Sequence, residues 1–497
     1  MKTAVNPCNS VLTDNVNNWI DIDSPQYVLD WLTSGVKIPF IFEPTPFRIN
    51  NGLLSKAHSN FARDKIQHLV QCGFLKRYDN PICVSPICVV PKKNKKFRLI
   101  VDLRHLNSIC DAKKFQYEDI NTVIELIEPG DFMITVDIKD GFYHIPVSES
   151  HQTYLGIHFE GVHYVWTVLP FGLCASPYFF TKTIRPIITY LRSQGLRITV
   201  YVDDFLLLSS QLNIEKDKQC FLNVLSKLGW LVNYEKSKLI PSQKQCYIGY
   251  VINSSGDKGV PIISVPIERI RRLRKDIRRA LCQPSVSARM LARIAGQCIS
   301  MTKAVLPGKI LLRNVYSVLA SKSSWEDSLQ LSESCIADLR WWLDSLSDWN
   351  GAPVVKRPVQ GQLTTDASGS GWGAIFRETE AAGHWDREFS QAPSNSRELM
   401  AILLALECFK DRMAGQHIQV LTDNITCVAY INHLGGPSCQ LTDIAKSIWN
   451  LAYQNDIHLS AKYLAGSLNT VADTLSRLNP IYEWYLIQSL FQYLDRL

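Results

Sequence analysis

The chain is short of several things, and each shortage excludes a class of protein. None of its 14 cysteines, spread from Cys8 to Cys439, forms a CxxC pair, so neither a zinc knuckle nor a disulfide framework is indicated and a reducing compartment is expected. Long apolar runs are missing. Residues 401–406 are among the longest and fall far short of the ~20 residues of a membrane span. Residues 1–18 are polar and lack the apolar stretch of a secretory leader. The expectation is a soluble protein of cytosol or nucleus with no membrane partner. Internal repeats and low-complexity tracts are also absent, so boundaries have to come from changes of pattern. Charge of one sign is in small excess: 53 Lys and Arg against 46 Asp and Glu give +7, and a polyanionic partner must be argued from local clusters. Hydrophobic residues at 46% and charged residues at 20% are ordinary globular values. The 497 residues suggest about three domains.

What is present centres on Arg197-Ile-Thr-Val-Tyr-Val-Asp-Asp-Phe-Leu-Leu-Leu-Ser-Ser210. Ile198, Val200 and Val202 alternate with Arg197, Thr199 and Tyr201, the period of a strand with unlike faces, and an apolar run follows Asp203-Asp204 at once. This predicts strand, acidic turn, strand. Neighbours in a regular strand face opposite ways, so two carboxylates share a site only where the chain bends. A polar hairpin tip is the plain alternative.

Upstream, Phe61, Ile66, Leu69 and Val70 at helical spacing predict a helix within residues 54–77 that ends at Gly73. Ser85-Pro-Ile-Cys-Val-Val-Pro91 and Phe97-Arg-Leu-Ile-Val-Asp-Leu103 read as two strands joined by Lys92-Lys-Asn-Lys-Lys96. That lysine tip is either a solvated loop or a phosphate grip to which Arg98 adds a planar donor. Phe132, Ile134 and Val136 alternate into Asp137, which closes a strand before a Lys-Asp-Gly turn: a turn starter, or a metal ligand on a rigid element. Ser176-Pro177 reads as an N-cap followed by proline at the first helical position, and Pro170-Phe171-Gly172 as a loop close to a ligand. A helix is expected over 221–230 and one strand over 246–252, where the first domain closes. Ile267, Ile270, Leu273, Ile277 and Leu281 then share a helical face whose remainder is Arg269, Arg271, Arg272, Arg274, Lys275, Arg278 and Arg279. Such a face is either simply solvated or matched to a phosphate backbone.

After a Pro-containing linker, residues 351–358, four further acids stand out. Asp366 and Asp423 end strands; Glu398 and Asp473 lie near helix starts. Each has a plain role available. Glu398 is three after Asn395 and Asp473 three after Thr470, both capping-box spacings. In a strand-helix-strand-helix order, however, such acids can converge at one edge of a sheet.

In this order the motifs resemble a retroelement reverse transcriptase carrying a C-terminal ribonuclease H domain. The residues concerned are Val89-Val-Pro-Lys-Lys93 with Arg98, Asp102-Leu-Arg-His-Leu-Asn107, Val136-Asp-Ile-Lys-Asp-Gly-Phe142, Leu169-Pro-Phe-Gly172, Tyr201-Val-Asp-Asp204 and Tyr247-Ile-Gly-Tyr250, then Asp366, Glu398, Asp423 and Asp473. Asp338-Leu-Arg-Trp-Trp-Leu343, Trp349-Asn-Gly351 and Val28-Leu-Asp-Trp-Leu-Thr-Ser-Gly35 are most similar to DIRS-type retrotransposons. The resemblance implies an α+β chain: an N-terminal extension (1–72), the fingers and palm of a right-hand polymerase (73–255), a helical thumb or connection (256–350), the linker (351–358), an α/β ribonuclease H-like domain (359–478) and a tail (479–497).

It further implies an RNA-directed DNA polymerase that extends a DNA primer on an RNA or DNA template with deoxynucleoside triphosphates, and that cleaves the RNA strand of an RNA–DNA hybrid. Asp137, Asp203 and Asp204 become the polymerase acids, and Asp366, Glu398, Asp423 and Asp473 the ribonuclease acids. Each set would hold two Mg²⁺, with Mn²⁺ as the alternative ion. Lys92, Lys93 and Arg98 would hold the triphosphate, Phe142 would exclude a 2′-hydroxyl, and Phe171 and Gly172 would form the pocket loop, where many relatives have Gln in place of Phe171. Tyr247 to Tyr250 would position the primer end, and the basic helix would belong to the thumb. Many relatives have a histidine ten residues before the last Asp; this chain has Tyr463. Neither an aspartic-protease DTG or DSG motif nor room for an integrase after Arg477 is found, so those functions are expected on another chain. The rival expectation is a catalytically silent, nucleic-acid-binding relic of a retroelement. Intact acids at both sites weigh against it.

Overall fold

The computed structural model describes residues 12–91, 97–111, 113–256, 259–354 and 358–477; Lys92 and Lys93 lie outside the described residues. The chain divides into two compact units, residues 1–262 and 263–497.

The first unit begins with helices α1 (Val16–Ile20) and α2 (Gln26–Ser34). Apart from the Val28 to Gly35 motif the sequence of the first forty residues says little, yet Trp19, Val28, Leu32, Val36 and Ile38 are all in the main core. Helix α3 (Lys56–Gln71) is capped by Ser55, whose hydroxyl accepts from the His58 amide. The chain then supplies β1 (Phe47–Arg48), β2 (Leu75–Arg77), β3 (Cys83–Ser85), β7 (Gly156–Phe159) and β8 (Val162–Trp166) to a five-stranded sheet of order β1-β3-β7-β8-β2. Strands β4 (Ile87–Pro91) and β5 (Phe97–Val101) form a separate hairpin. The single strand expected over 85–91 is therefore two. Pro86 has no amide to continue a ladder, and the strands on either side of it join different sheets.

The second sheet is antiparallel throughout, in the order β11-β6-β10-β9, from β6 (Phe132–Asp137), β9 (Arg197–Tyr201), β10 (Asp204–Ser209) and β11 (Lys238–Ser242). Helices α4 (Ser176–Ser193) and α5 (Ile214–Lys227) contribute Phe180, Ile187, Phe221 and Leu225 to the core that also takes Ile134, Val136, Phe205 and Leu207 from the sheet. Ser176 is the first residue of α4 rather than its cap, since the preceding Ala175 already has helical angles; its buried hydroxyl instead donates to the Pro170 carbonyl at 2.9 Å. The strand expected over 246–252 is a hairpin, β12 (Lys244–Tyr247) and β13 (Tyr250–Asn253). Ile248 and Gly249, with φ of 39° and 82°, make the two-residue loop with positive φ at both positions that matches strand twist. The apolar run concealed it.

The second unit opens with α6 (Ile267–Leu281), whose Ile270, Leu273, Ile277 and Ala280 are buried while Arg271, Arg272, Lys275, Arg278 and Arg279 are exposed. Helices α7 (Ala288–Ile299), α8 (Arg313–Ala320) and α9 (Glu333–Asp344) follow. Strands β14 (Gly361–Ala367), β15 (Gly371–Phe376), β16 (Thr379–His384), β17 (His417–Thr422) and β18 (His458–Tyr463) then build a mixed sheet of order β16-β15-β14-β17-β18, with β14, β17 and β18 parallel. Its helices are α10 (Ser394–Met413), α11 (Ile425–Asn432), α12 (Cys439–Gln454) and α13 (Thr470–Ser476). Residues on both sides of 351–358 pack together inside this unit. Ile310 joins the core of the mixed sheet, Arg313 donates to the carbonyls of His433, Leu434 and Gly435, and buried Asp338 pairs with Lys446 at 2.9 Å. No helix among the described residues is long and apolar enough to cross a membrane.

One ion pair fixes the base of the antiparallel sheet. Arg197, at the start of β9, grips Asp131, just before β6, through two bonds of 2.6 Å, and the Asp131 side chain is 3% exposed. Removing Asp131 leaves the Arg197 charge, itself partly exposed, with only Glu128 at 3.4 Å to compensate it. Asp131→Ala should lower stability by no more than about 3 kcal/mol, read as a fall in the urea midpoint, whereas Arg197→Met with Asp131→Leu should recover most of the loss. A single variant that unfolds with the parent would refute this role.

Candidate active sites

Strands β9 and β10 are joined by Val202 and Asp203 alone, and the register sets Asp204 opposite both Tyr201 and Asp137. Directly paired residues point to the same face of a sheet, so Asp137 and Asp204 are brought side by side, with Asp203 at the turn. Val202 has φ of 57°, a left-handed conformation that a β-branched side chain adopts only under strain. The surroundings hold it: Ile138 donates its amide to the Asp203 carbonyl at 3.2 Å, and the Tyr247 hydroxyl donates to the Asp204 carbonyl at 3.0 Å.

Burial raises the Asp203 carboxyl above its ordinary range, and Asp137 adds to the effect. The Asp204 side chain reaches solvent, yet its carboxyl is pushed up to about 6, first by the protein packed around the turn and then by Asp203 and Asp137. One oxygen of Asp137 is buried without a hydrogen-bond partner among the described residues, and the other lies 3.4 Å from Lys236 Nζ. Three carboxylates with one lysine leave uncompensated negative charge on hard oxygens, a donor set that suits a divalent cation such as Mg²⁺.

Beside Asp203 opens a cavity of about 610 Å³. Its apolar wall includes Phe97, Tyr143, Trp166 and Phe171; its cations are Lys65, Arg98 and Lys236. Gly172, at φ of 100°, also lines it, and a Cβ there would stand 3.2 Å from the Val101 carbonyl. Asn107 braces this loop, donating to the Gly172 carbonyl at 2.8 Å and accepting from the Cys174 amide at 2.9 Å. Phe142 is half-buried, with its ring 4.9 Å from that of Phe171 and 5.4 Å from that of Phe180; of the two expected pocket aromatics it is Phe171 that lines the cavity. The turn carrying Phe142 is fixed by His144, which accepts from the Leu231 amide at 3.2 Å and donates through its other ring nitrogen to the Gly141 carbonyl at 3.2 Å. Sequence reasoning missed Lys65 and Lys236. Lys65 sits in an otherwise ordinary amphipathic helix and Lys236 in an aperiodic polar stretch, so neither carried a signal.

In the second unit Asp366, Glu398 and Asp423 each place a carboxylate oxygen within 4.8 Å of the others. The parallel pairing of β14 with β17 brings Asp366 and Asp423 to the same sheet edge. The capping-box readings fail. Helix α10 starts at Ser394, so Glu398 lies a full turn inside it and is buried against the sheet, and neither α10 nor α13 has a side-chain cap. Asn395 instead accepts from Asn424 at 2.8 Å, and Asn424 caps α11, which ties the element bearing Glu398 to the one bearing Asp423. Asp473 stands apart from the three: Arg477 holds its carboxylate at 2.6 and 2.9 Å. Tyr463, half-exposed at the end of β18, is paired with Thr422, the residue before Asp423.

The Glu398 carboxyl is pushed up to about 8, chiefly by burial and then by Asp366 and Asp423, and one of its oxygens has no hydrogen-bond partner among the described residues. Asp366 is raised for the same leading reason. This donor set also fits a hard divalent cation.

The architecture of the chain is a polymerase fold followed by an additional α/β domain. It is similar to the foamy viral protease-reverse transcriptase in complex with dsDNA (TM-score 0.56, 18% identity, 87% of this chain and 88% of that one) and to the same viral protein in complex with an RNA/DNA hybrid (TM-score 0.54, 17% identity, 97% and 66%). Residues 90–252 match the family described as reverse transcriptase (RNA-dependent DNA polymerase). That segment is similar to the reverse transcriptase domains of retrotransposon and retroviral Pol polyproteins. Among relatives, the chain is 26% identical over 443 residues to the Pol polyprotein from transposon opus of Drosophila melanogaster, covering 84% of this chain and 42% of that one. It is 25% identical to that from transposon gypsy of the same fly, covering 85% and 40%. The chain thus spans about two-fifths of the length of these curated relatives.

Because Glu398 rises from an ordinary 4.5 to about 8, the folded protein keeps its proton over a pH window in which the unfolded chain has lost it. Stability of the metal-free protein should fall as pH rises through that window and level off above it. Glu398→Gln should remove this slope and be the more stable protein at pH 8.5, by an amount on the order of a few kcal/mol. Urea unfolding in a chelating buffer at pH 5 and 8.5 measures it; parallel pH dependences in the two proteins would refute it.

Proposed function

We propose that the chain is an RNA-directed DNA polymerase with ribonuclease H activity. The polymerase reading rests on one observation above all: Asp137, Asp203 and Asp204 meet at the end of an antiparallel sheet beside a cavity walled by aromatic rings and three cations, inside the reverse transcriptase domain. Residues 73–255 act as fingers and palm, 256–350 as thumb and connection, and 359–478 as the ribonuclease H domain. The exposed arginines of α6 face the phosphate backbone of template and primer. The Asp338 to Leu343 and Trp349 to Gly351 motifs support a DIRS-type element.

Asp137 and Asp203, with Asp204, would hold two Mg²⁺ at the first site, and Asp366, Glu398, Asp423 and Asp473 would do so at the second, where such ions would supply activation of an attacking oxygen and neutralisation of charge on a leaving one. The chain's own residues do the rest. Lys65, Arg98 and Lys236 neutralise the triphosphate of an incoming deoxynucleotide, a task proposed also for Lys92 and Lys93, which lie outside the described residues. Phe171 and Tyr143 close the apolar side of the cavity, and Phe142, braced from behind by Phe180, sets how near the sugar can approach. Tyr463, paired with Thr422 at the end of its strand, stands in the sequence where many relatives have histidine; a phenol shuttles protons poorly near neutral pH, so RNA cleavage is slow relative to synthesis.

The two chemistries are separable. In primer extension on a labelled RNA template, Asp203→Asn should abolish DNA synthesis and leave hybrid cleavage, and Asp423→Asn should do the reverse. Loss of both activities in either folded variant would overturn the assignment.

Discrimination against ribonucleotides should depend on Phe142. An apolar pocket rejects an added hydroxyl by only about a hundredfold through attraction alone, so stronger rejection needs a clash. Phe142→Val should admit ribonucleotides at least about tenfold better, with a modest loss for deoxyribonucleotides, whereas Phe142→Tyr keeps the ring and the selectivity. Single-nucleotide kcat/KM values decide this; unchanged selectivity in Phe142→Val would move the gate to Phe171.

A further inference from the structure

Among the residues around the second acidic cluster, one buried hydroxyl is aimed at a carboxylate. Ser476, the last residue of α13, is 0% exposed, and its Oγ lies 2.6 Å from Asp366 Oδ2. A serine has one proton to donate. The alternative acceptor, the Asp473 carbonyl, is farther, at 2.9 Å, and the charged carboxylate makes the stronger bond. Oδ1 of Asp366 is differently placed: Asn469 Nδ2 is 3.5 Å away and makes its better bond to the Thr365 carbonyl, at 3.0 Å. One oxygen of Asp366 is therefore firmly held, and the other accepts only a long bond from the second proton of the Asn469 amide.

The sheet is shaped to bring Ser476 there. Gly373 is the cross-strand partner of Asp366, and a Cβ on it would lie 2.5 Å from the Ala472 carbonyl oxygen and 2.6 Å from the Ser476 nitrogen. Only a bare backbone at 373 lets α13 settle this close. The Ser368 hydroxyl then pins the end of the helix by donating to the Ser476 carbonyl at 2.6 Å.

We propose that Ser476 is a positioning residue of the ribonuclease site, holding Asp366 so that its weakly bonded oxygen faces a divalent cation. The inference rests on the ribonuclease reading given above. Groups that orient a metal-binding carboxylate set affinity for the ion: their loss typically weakens binding by about 10–100-fold. A serine that merely bonds back to its own helix, to the carbonyl three residues earlier, would not.

The test uses the full chain carrying Asp203→Asn, which weakens the contribution of the first unit's acids. Calorimetric titration of the metal-free protein with Mn²⁺ should show Ser476→Ala binding about 10–100-fold more weakly, and Ser476→Thr, which keeps the hydroxyl, close to the parent. The Mg²⁺ concentration for half-maximal hybrid cleavage should rise by the same factor, with the rate largely recovered at saturating Mg²⁺. If Ser476→Ala binds Mn²⁺ as its parent does, the inference is wrong and the ribonuclease reading stands. If Asp366→Asn also leaves Mn²⁺ binding unchanged, or the parent cleaves no hybrid, the reading itself fails and Ser476 with it.

Discussion

Like charges held close together in protein are the constraint on which both halves of this chain turn. At one end of an antiparallel sheet three carboxylates meet with one lysine nearby; at the edge of a mixed sheet three more lie within 4.8 Å. Left to themselves, such groups would swing into water or keep their protons, and the carboxyls of Asp204 and Glu398, raised first by burial and then by their acidic neighbours, register that tendency. Much of the surrounding detail serves to hold the backbone against it.

The two units resist the repulsion by different means. In the first, the chain accepts backbone strain at Val202 and restrains it with bonds from Ile138 and Tyr247 to the carbonyls of the two turn acids. In the second, none of Asp366, Glu398 and Asp423 sits at or next to a residue of left-handed φ. Regular strands and a long helix deliver the carboxylates, and the contact of Asn395 with Asn424 ties two of those elements together. The first arrangement concentrates its acids at one tight turn, while the second spreads them over separate elements whose docking has to be right.

The acids and the strands that carry them were legible in the sequence, because a strand's alternation stops where a carboxylate begins: Ile134, Val136, then Asp137; Ile198, Val200, then the pair. What escaped was whatever depended on the chain meeting itself. The 246–252 run reads as one strand because its apolar residues are continuous, and only Gly249 hints that it doubles back. Glu398 has the spacing of a capping box, but the helix starts one residue before Asn395 and the carboxylate is spent on the sheet. Lys236 stands 99 residues after Asp137 in an aperiodic segment, and its approach to that carboxylate exists only in three dimensions. The N-terminal segment is a further case. Trp19 is buried and donates to the Leu228 carbonyl at 3.1 Å, a long-range contact that no local pattern announces.

The packing across residues 351–358 bears on how such a chain can be recombined. To a reader of sequence this proline-containing stretch is the natural seam at which one module ends and another begins. Yet Arg313 caps the end of α11, Ile310 sits among the apolar residues of the mixed sheet, and Lys446 neutralises Asp338 from the other side. A chimaera joined at that stretch would strand a buried aspartate on one parent and an open apolar face on the other. A crossover that conserves these contacts has to leave α6 to α9 with the C-terminal sheet, so the helices and that sheet are inherited together or not at all.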